Sequence, residues 1–178
     1  MKRVWILIVM GMMSMMTYAQ EHHVLVAYFS ATGTTAGVAK TLASVTGGDL
    51  FEIVPAQKYT SADLNWNNKQ SRSSVEMANP KSRPAVQSKK ADMGDYDVIY
   101  LGYPIWWGKA PTIIHTFIES YDWKGKTLVP FATSGGSGIE ESVSVLKETY
   151  PSLNWKNGRL LNRASEKTIR EWVGQLGL

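Results

Sequence analysis

The chain has 178 residues, 44% of them hydrophobic and 19% charged, which is enough for one compact core but short for two domains. It contains no cysteine, which excludes a disulfide framework, a thiolate nucleophile and an iron–sulfur cluster. Its formal net charge of +4 is too small a bias to indicate nucleic-acid binding.

The first 19 residues have the three parts of an export signal. Two basic residues are followed by an apolar stretch from Val4 to Met16, and Thr17-Tyr18-Ala19 provides the small residues that signal peptidase needs. A bilayer core needs about 20 apolar residues, which favours a cleaved signal over a membrane anchor. We therefore expect a signal peptide over 1–19, a single exported, periplasmic domain over 20–178, and no membrane span after cleavage.

The rest of the chain alternates predicted strands and helices. Val24 to Phe29 is a continuous apolar run, which is typical of a strand buried on both faces. A helix is predicted over Thr35 to Val45 and a second strand over Leu50 to Val54. A third strand is predicted over Tyr96 to Gly102, and a fourth over Lys126 to Ala132.

The second half of the chain supplies three more helices and one weak strand. Pro111 opens one helix, and apolar residues at helical spacing mark two others, from Ile139 to Tyr150 and from Ile169 to Leu176. The weak strand lies within Trp155 to Leu161. Parallel neighbours need crossover connections, so this alternation predicts an α/β fold with a doubly wound, five-stranded parallel sheet and helices on both faces.

Two features depart from this regular pattern. The polar stretch from Ala56 to Asp92 has one short helical candidate, Ser71 to Ala78, and a connection this long is usually functional or mobile. Pro130 lies inside the predicted fourth strand, where it cannot donate to the ladder. We therefore predict that strand pairing ends near Pro130.

A loop rich in hydroxyl groups joins the first strand to the first helix. Its residues are Ser30, Ala31, Thr32, Gly33, Thr34 and Thr35. Backbone N–H groups and hydroxyls at a helix N-terminus bind phosphate, and the absence of a P-loop lysine favours a terminal phosphate monoester over a nucleoside triphosphate. A hydroxyl-rich turn and helix cap is the alternative interpretation.

Two further loops follow the third and fourth strands and emerge at the same carboxyl edge of the sheet, where ligands bind in open α/β folds. The second loop contains Pro104, Ile105, Trp106, Trp107 and Gly108, and the third contains Thr133, Ser134, Gly135, Gly136, Ser137 and Gly138. Two adjacent indoles on a turn seldom both point inward, so a flat ligand stacked on one of them would explain the pair. The glycines of the third loop permit close approach of a ligand.

With these three loops in this order, the chain resembles the flavodoxins, and more narrowly a bacterial exported flavodoxin-like group with Tyr-Pro-Ile-Trp-Trp-Gly and Thr-Ser-Gly-Gly-Ser-Gly loops. The resemblance extends from Val24 to Leu176. It implies a strand order of 2-1-3-4-5 and FMN as the cofactor. The first loop would hold the FMN phosphate, and the second and third loops would border the isoalloxazine on opposite sides.

The resemblance also assigns individual roles. Trp106 occupies the position of the indole that stacks on the flavin, and the Trp107–Gly108 peptide is a candidate for the flip that turns a carbonyl toward the flavin. The third loop lacks the tyrosine that flavodoxins usually carry there. The other flavin face is therefore expected to be exposed, or covered by Trp66 or Tyr103.

The leading functional hypothesis is an electron carrier that exchanges electrons with redox partner proteins or small electron acceptors. The chemistry then belongs to FMN, so no catalytic residue is required, and no nucleophile, general base or metal site is evident. An FMN-dependent NAD(P)H reductase of quinones or nitro compounds is the alternative. A flavin-free binding module is the second alternative, because fold does not fix function.

Overall fold

The computed structural model describes residues 22–178 of the chain. The predicted signal peptide, residues 1–19, lies outside this range, so its cleavage stays a prediction. Within the described range, no helix is long and apolar enough to cross a membrane.

Strands and helices alternate along the described residues, as the sequence predicts. The strands are β1 (Val24–Tyr28), β2 (Asp49–Glu52), β3 (Val98–Pro104), β4 (Thr127–Thr133), β5 (Asn154–Trp155) and β6 (Arg159–Leu160). The helices are α1 (Thr34–Thr46), α2 (Arg72–Ala78), α3 (Thr112–Ile118), α4 (Glu140–Thr149) and α5 (Glu166–Gln175). The predicted elements are all present, and their ends differ from the prediction by a few residues.

All strands pair in parallel, in the order β2-β1-β3-β4-β5, which confirms the predicted topology. The weak fifth strand is divided: β5 and β6 both pair with β4, one after the other along its outer edge. The sheet therefore has five strand positions, and the reversal of strand order lies between β1 and β3.

Pro130 explains why the fifth strand is divided. The prediction that pairing ends at Pro130 is wrong on the inner side, because β3 and β4 pair over all seven residues. On the outer side, the carbonyls of Leu128 and Ala132 accept hydrogen bonds from the backbone N–H groups of Lys156 (2.9 Å) and Leu161 (2.8 Å). Alternate residues of a strand face the same neighbour, so the missing N–H of Pro130 faces this outer edge, between β5 and β6.

The sheet is covered on both faces, and each face has its own apolar core. On one face, Leu25, Ile99 and Leu101 pack with residues of α3 and α4, among them Ile113 and Leu146. On the other face, residues of β1, β3 and β4 pack with residues of α1 and α5: these are Val26, Tyr100, Val129, Leu42 and Trp172. Successive residues of a strand face opposite sides of the sheet, and helices cover both sides. This is the doubly wound arrangement that the sequence predicts.

The polar stretch is a folded loop whose two ends are held together. Pro55 and Val86 form an antiparallel bridge, so the chain leaves and returns at the same place. Near the return, the Arg83 guanidinium donates two hydrogen bonds of 2.8 Å to the carboxylate of Glu119, just after α3. The Thr116 hydroxyl also donates to the carbonyl of Pro84 (3.0 Å). These contacts fasten the polar stretch to α3.

The histidine of α3 belongs to the same fastening network. Nδ1 of His115 lies 2.9 Å from the Tyr150 hydroxyl, which donates to Glu119 (2.7 Å). Burial, reinforced by the nearby Arg83 guanidinium, lowers the pKa of His115 from 6.5 to about 4. The imidazole is therefore neutral at pH 7 and packs against the ring of Tyr150, which follows α4.

Candidate functional site

The three predicted loops lie side by side at the carboxyl ends of β1, β3 and β4. The Thr35 hydroxyl at the start of α1 lies 2.8 Å from the hydroxyl of Thr133, and both side chains are buried. The backbone N–H of Ile105 donates to the Thr133 carbonyl (2.8 Å). Thr133 therefore joins the third loop to the other two, at the edge of the sheet where α/β folds bind ligands.

The first loop presents an open helix N-terminus. Gly33 precedes α1 with φ of +89°, and within the described residues no side chain caps the helix and no acidic residue occupies its first turn. The Ser30 hydroxyl accepts from the Gly33 N–H (3.1 Å), so it closes the turn ahead of the helix. The hydroxyls of Thr32 and Thr34 are exposed. The alternative interpretation of this loop is a hydroxyl-rich turn with a helix cap. The turn is present, but the side-chain cap is not. The first N–H groups of α1 are therefore available to bind an anion.

The second loop ends in a tight hairpin turn, whose two central residues are Trp107 and Gly108. The backbones of Trp106 and Lys109 exchange two hydrogen bonds of 2.9 Å, and Trp107 and Gly108 between them have φ of +47° and +78°. Two consecutive positive φ angles are the mark of a type I′ turn. The turn leaves the Trp107 side chain 49% exposed.

A cavity of about 350 Å³ lies between the first two loops and the polar stretch. Six of the predicted residues line it: Ala31, Thr32, Pro104, Ile105, Trp106 and Trp107. The polar stretch contributes Leu64, Trp66 and Ser73. Three indoles around one concave space, next to an uncapped helix N-terminus, suit a flat aromatic ligand that carries an anionic group.

Trp106 is held by a cluster of aromatic rings. Its ring packs edge-on against Phe29 and Tyr59, with centroids 5.6 and 5.4 Å away. Tyr59 in turn donates a hydrogen bond to Glu76, and the guanidinium of Arg72 lies 4.1 Å from the centre of the Tyr59 ring. Burial, together with the Glu76 carboxylate, raises the pKa of Tyr59 well above its usual value. The cluster fixes one side of the Trp106 indole and leaves the ring lining the cavity.

Sequence reasoning missed Tyr59, Arg72 and Glu76 as supports of the site. Arg72 and Glu76 form an ion pair of 2.6 Å within α2, one turn apart. The available signal was the i, i+4 spacing of opposite charges in the predicted helix, together with an isolated tyrosine in a polar stretch. Neither signal says which loop the stretch packs against.

The third loop is shaped by a residue that the sequence did not single out. The side-chain amide of Asn162 donates to the Ser134 carbonyl (2.7 Å), and its oxygen accepts from the Ser134 N–H (2.8 Å). The Ser134 hydroxyl accepts from the N–H groups of Gly136 (3.1 Å) and Ser137 (2.8 Å). Among the described residues that line the 350 Å³ cavity, none belongs to the third loop. Its predicted contact with the flavin therefore stays a prediction.

The two aromatic residues proposed to cover the second flavin face have different positions. Tyr103 is fully buried, with its hydroxyl 3.1 Å from the Ser142 hydroxyl, so the prediction that it covers a ligand is wrong. Alternate residues of a strand face the same side, so Tyr103 lies on the side of Ile99 and Leu101 and packs in the same core. Trp66 is 71% exposed and lines the cavity, so it remains available to a ligand.

Comparison with solved structures finds similar folds. A protein from Bacteroides eggerthii assigned to the flavoproteins is 64% identical, with a TM-score of 0.87, and the match covers 88% of this chain and 99% of that one. A second from Bacteroides uniformis, also assigned to the flavoproteins, is 56% identical, with a TM-score of 0.84 and coverages of 86% and 98%. A flavoprotein from Lactobacillus acidophilus in complex with FMN is 23% identical, with a TM-score of 0.66 and coverages of 83% and 98%. At that identity, the last shows the fold alone.

The comparison with protein families agrees with the fold. No curated protein matches the chain. The family model described as flavodoxin matches residues 23–176, which is nearly all of the described chain. The chain therefore belongs to the flavodoxin family.

Proposed function

We propose that this protein binds FMN and transfers electrons through it. The observation that carries the proposal is the 350 Å³ cavity walled by Trp66, Trp106 and Trp107 beside the open N-terminus of α1. FMN is the cofactor that such a site suits, because it joins a flat aromatic ring system to a phosphate. The family of the chain and the FMN complex of the Lactobacillus acidophilus protein support this choice.

The residues of the chain fit the two ends of FMN. The phosphate would lie on the first loop, where the N–H groups at the start of α1 and the hydroxyls of Ser30, Thr32 and Thr34 can donate to it. The loop residues assigned to it are Ser30, Thr32, Gly33, Thr34 and Thr35. The isoalloxazine would lie against the second loop, residues 104–108, with the third loop, residues 133–138, on its other side.

Bound FMN supplies the redox chemistry, because it can accept and release one or two electrons. The chain supplies binding and orientation. Phe29 and Tyr59 hold Trp106 in place, so the stacking surface is formed before the cofactor arrives. The Trp107–Gly108 peptide is the proposed hydrogen-bonding group for the edge of the flavin.

The lining of the cavity favours electron transfer over acid–base catalysis. Among the described residues that line it, none has a side chain that titrates between pH 3 and 11. A protein of this kind exchanges electrons with redox partner proteins or small acceptors, and the predicted signal peptide suggests that it does so outside the cytoplasm. The second candidate is an NAD(P)H-dependent reductase of quinones or nitro compounds. The exposure of Trp66, which leaves one side of the cavity open, favours this second candidate.

The visible spectrum of the protein tests both candidates. The purified protein is incubated with FMN, desalted and then mixed with NADPH or NADH without oxygen. Retained flavin absorbance that persists until a strong chemical reductant is added supports the electron carrier. Direct bleaching by NADPH or NADH supports the reductase, and loss of all flavin on desalting contradicts both.

A further inference from the structure

A second cavity, of about 530 Å³, lies next to the first and shares two of its walls. Trp66 and Trp107 line both cavities. The other walls of the second cavity are Asn67 and Lys69, which precede α2, and Ser74, Met77 and Ala78 on α2. FMN in the first cavity would leave this space open, because only the two indoles are common to both.

The position of Trp107 at this boundary lowers the stability of the protein in two ways. It has φ of +47°, a left-handed conformation that disfavours a large side chain and that asparagine or glycine would adopt more easily. Its indole is also 49% exposed, beside Trp66, which is 71% exposed. Strained residues and clustered exposed aromatic side chains are concentrated at binding sites. The pair therefore indicates a surface that a ligand covers.

The α2 wall of the second cavity is held in place without a ligand. The Ser71 hydroxyl caps the helix by accepting from the Ser74 N–H (3.3 Å). Arg72 ties the helix to the preceding chain, because it donates to the Gln57 carbonyl (2.7 Å) as well as pairing with Glu76. A mainly apolar lining and a preformed wall are features of small-molecule sites.

Lys69 gives the second cavity its charge. It is the only charged side chain among the described residues of the lining. It also takes part in none of the ion pairs within residues 22–178. A single ammonium group at the rim of an aromatic cavity favours a ligand that is flat, aromatic and negatively charged.

We propose that the second cavity binds a flat aromatic anion, of the class of sulfonated or carboxylated quinones, as the small electron acceptor of the protein. The proposal rests on the proposed function, because it places the acceptor beside FMN. The quinone would be reduced to its hydroquinone by two electrons from reduced FMN and two protons from solvent, and FMN, oxidised in this exchange, would be reduced again by a redox partner protein. The ring would lie against Trp66 and Trp107, and the anionic group would face Lys69. Trp66 and Trp107 would then separate the acceptor from FMN by their own thickness.

Calorimetric titration of the FMN-loaded protein tests this site. The probes are naphthalene-2-sulfonate, which is not redox-active, and 2-naphthol, which is uncharged at pH 7. The variants are Lys69→Gln, which removes the charge, and Ala78→Phe, which places a bulky ring at the cavity wall from an exposed position at the end of α2. Lys81→Gln removes an exposed lysine of the same stretch outside the lining and is the matched control.

We expect one sulfonate to bind per protein without displacing FMN. Lys69→Gln should weaken sulfonate binding about two- to fivefold and leave 2-naphthol unchanged, as an exposed ion pair predicts. Ala78→Phe should weaken binding of both probes, because its ring takes up part of the space between α2 and the two indoles, and Lys81→Gln should change neither. All three variants should retain FMN, because none of the altered residues lines the first cavity.

Three results would overturn the proposal. They are the absence of saturable sulfonate binding to the FMN-loaded protein, displacement of FMN by the sulfonate, and equal affinities in all variants. If the unaltered protein retains no FMN at all, the proposed function fails and this proposal fails with it. Retention of FMN without sulfonate binding overturns the second site alone.

Discussion

Asn162 clamps the backbone of Ser134 from both sides. One hydrogen bond of 2.7 Å runs from the Asn162 amide to the Ser134 carbonyl, and one of 2.8 Å runs from the Ser134 N–H to the Asn162 side-chain oxygen. Two residues 28 positions apart therefore fix the start of the third loop. This loop has four exposed residues, from Gly135 to Gly138, and little side chain of its own to hold it.

Loss of this clamp should weaken FMN binding. Asn162→Ala removes both hydrogen bonds, and the cost of about 1–2 kcal/mol corresponds to a dissociation constant for FMN about five- to thirtyfold higher. Fluorescence titration with FMN measures this change. Asn154→Ala is the matched control, because Asn154 donates a hydrogen bond to Thr127 (2.9 Å) at the opposite end of β4. Equal FMN affinities in the two variants would show that the third loop does not contact the cofactor.

The buried hydroxyl pair between Thr35 and Thr133 should couple the first and third loops. Thr35→Val leaves the Thr133 hydroxyl buried without its partner and should lower the free energy of unfolding by about 1–3 kcal/mol. The double variant, Thr35→Val with Thr133→Val, should cost less than the sum of the single variants, because both polar groups are then removed. Urea unfolding of the FMN-free protein measures the free energy of unfolding of the unaltered protein, the two single variants and the double variant. Strict additivity would mean that the two hydroxyls do not interact.

Gly102 should be one of the least replaceable residues of β3. A Cβ atom at Gly102 would lie 2.2 Å from the ring of Phe131, its partner residue on β4. We expect Gly102→Ala to destabilise the protein by about 1–3 kcal/mol or more, because the buried ring has to move. Gly37→Ala is the control: Gly37 lies inside α1 with open space around it, and alanine there should stabilise by about 0.5–1 kcal/mol. In thermal unfolding, Gly102→Ala should lower the midpoint temperature and Gly37→Ala should raise it.

His115 should make the protein less stable below neutral pH. Its pKa is about 4 in the folded protein and about 6.5 when exposed, so between these values only the unfolded chain takes up the proton. The free energy of unfolding therefore falls as the pH falls from 6.5 to 4, by roughly 3 kcal/mol from this residue. His115→Gln should remove this part of the slope in urea unfolding measured from pH 7 to pH 4.

The lowered pKa of Glu119, beside Arg83, adds to the same slope in both proteins, so only the difference between them reports on His115. Parallel slopes for the two proteins would contradict the burial of a neutral imidazole. The control for folding is the value at pH 7, where both side chains are uncharged.

Most of the fold was predictable from local sequence patterns. The apolar runs of β1, β3 and β4 and the helical spacing of α1, α4 and α5 each depend on neighbouring residues, and the alternation of these elements requires a parallel sheet. The division of the fifth strand was not predictable from its own residues. It depends on Pro130, whose missing N–H affects a strand more than 20 residues later in the chain.

The loops of the candidate site were predictable from the sequence, but the contacts that hold them together were not. The first two loops do share a cavity, as expected from strand ends at one sheet edge. The polar stretch gave no sign that Tyr59 would pack against Trp106, and Asn162 has no local pattern at all. Both contacts join segments far apart in the chain, and such contacts are set by the tertiary fold.

The affinity for FMN compared with that for riboflavin tests the central claim most directly. The two flavins share the ring system and differ in the phosphate, so the comparison reports on the first loop and the N-terminus of α1. Fluorescence titration of the FMN-free protein should show that FMN binds at least tenfold more tightly than riboflavin, because the phosphate gains charge-assisted hydrogen bonds at α1. Equal affinities for the two flavins, or no binding of either, would contradict the account.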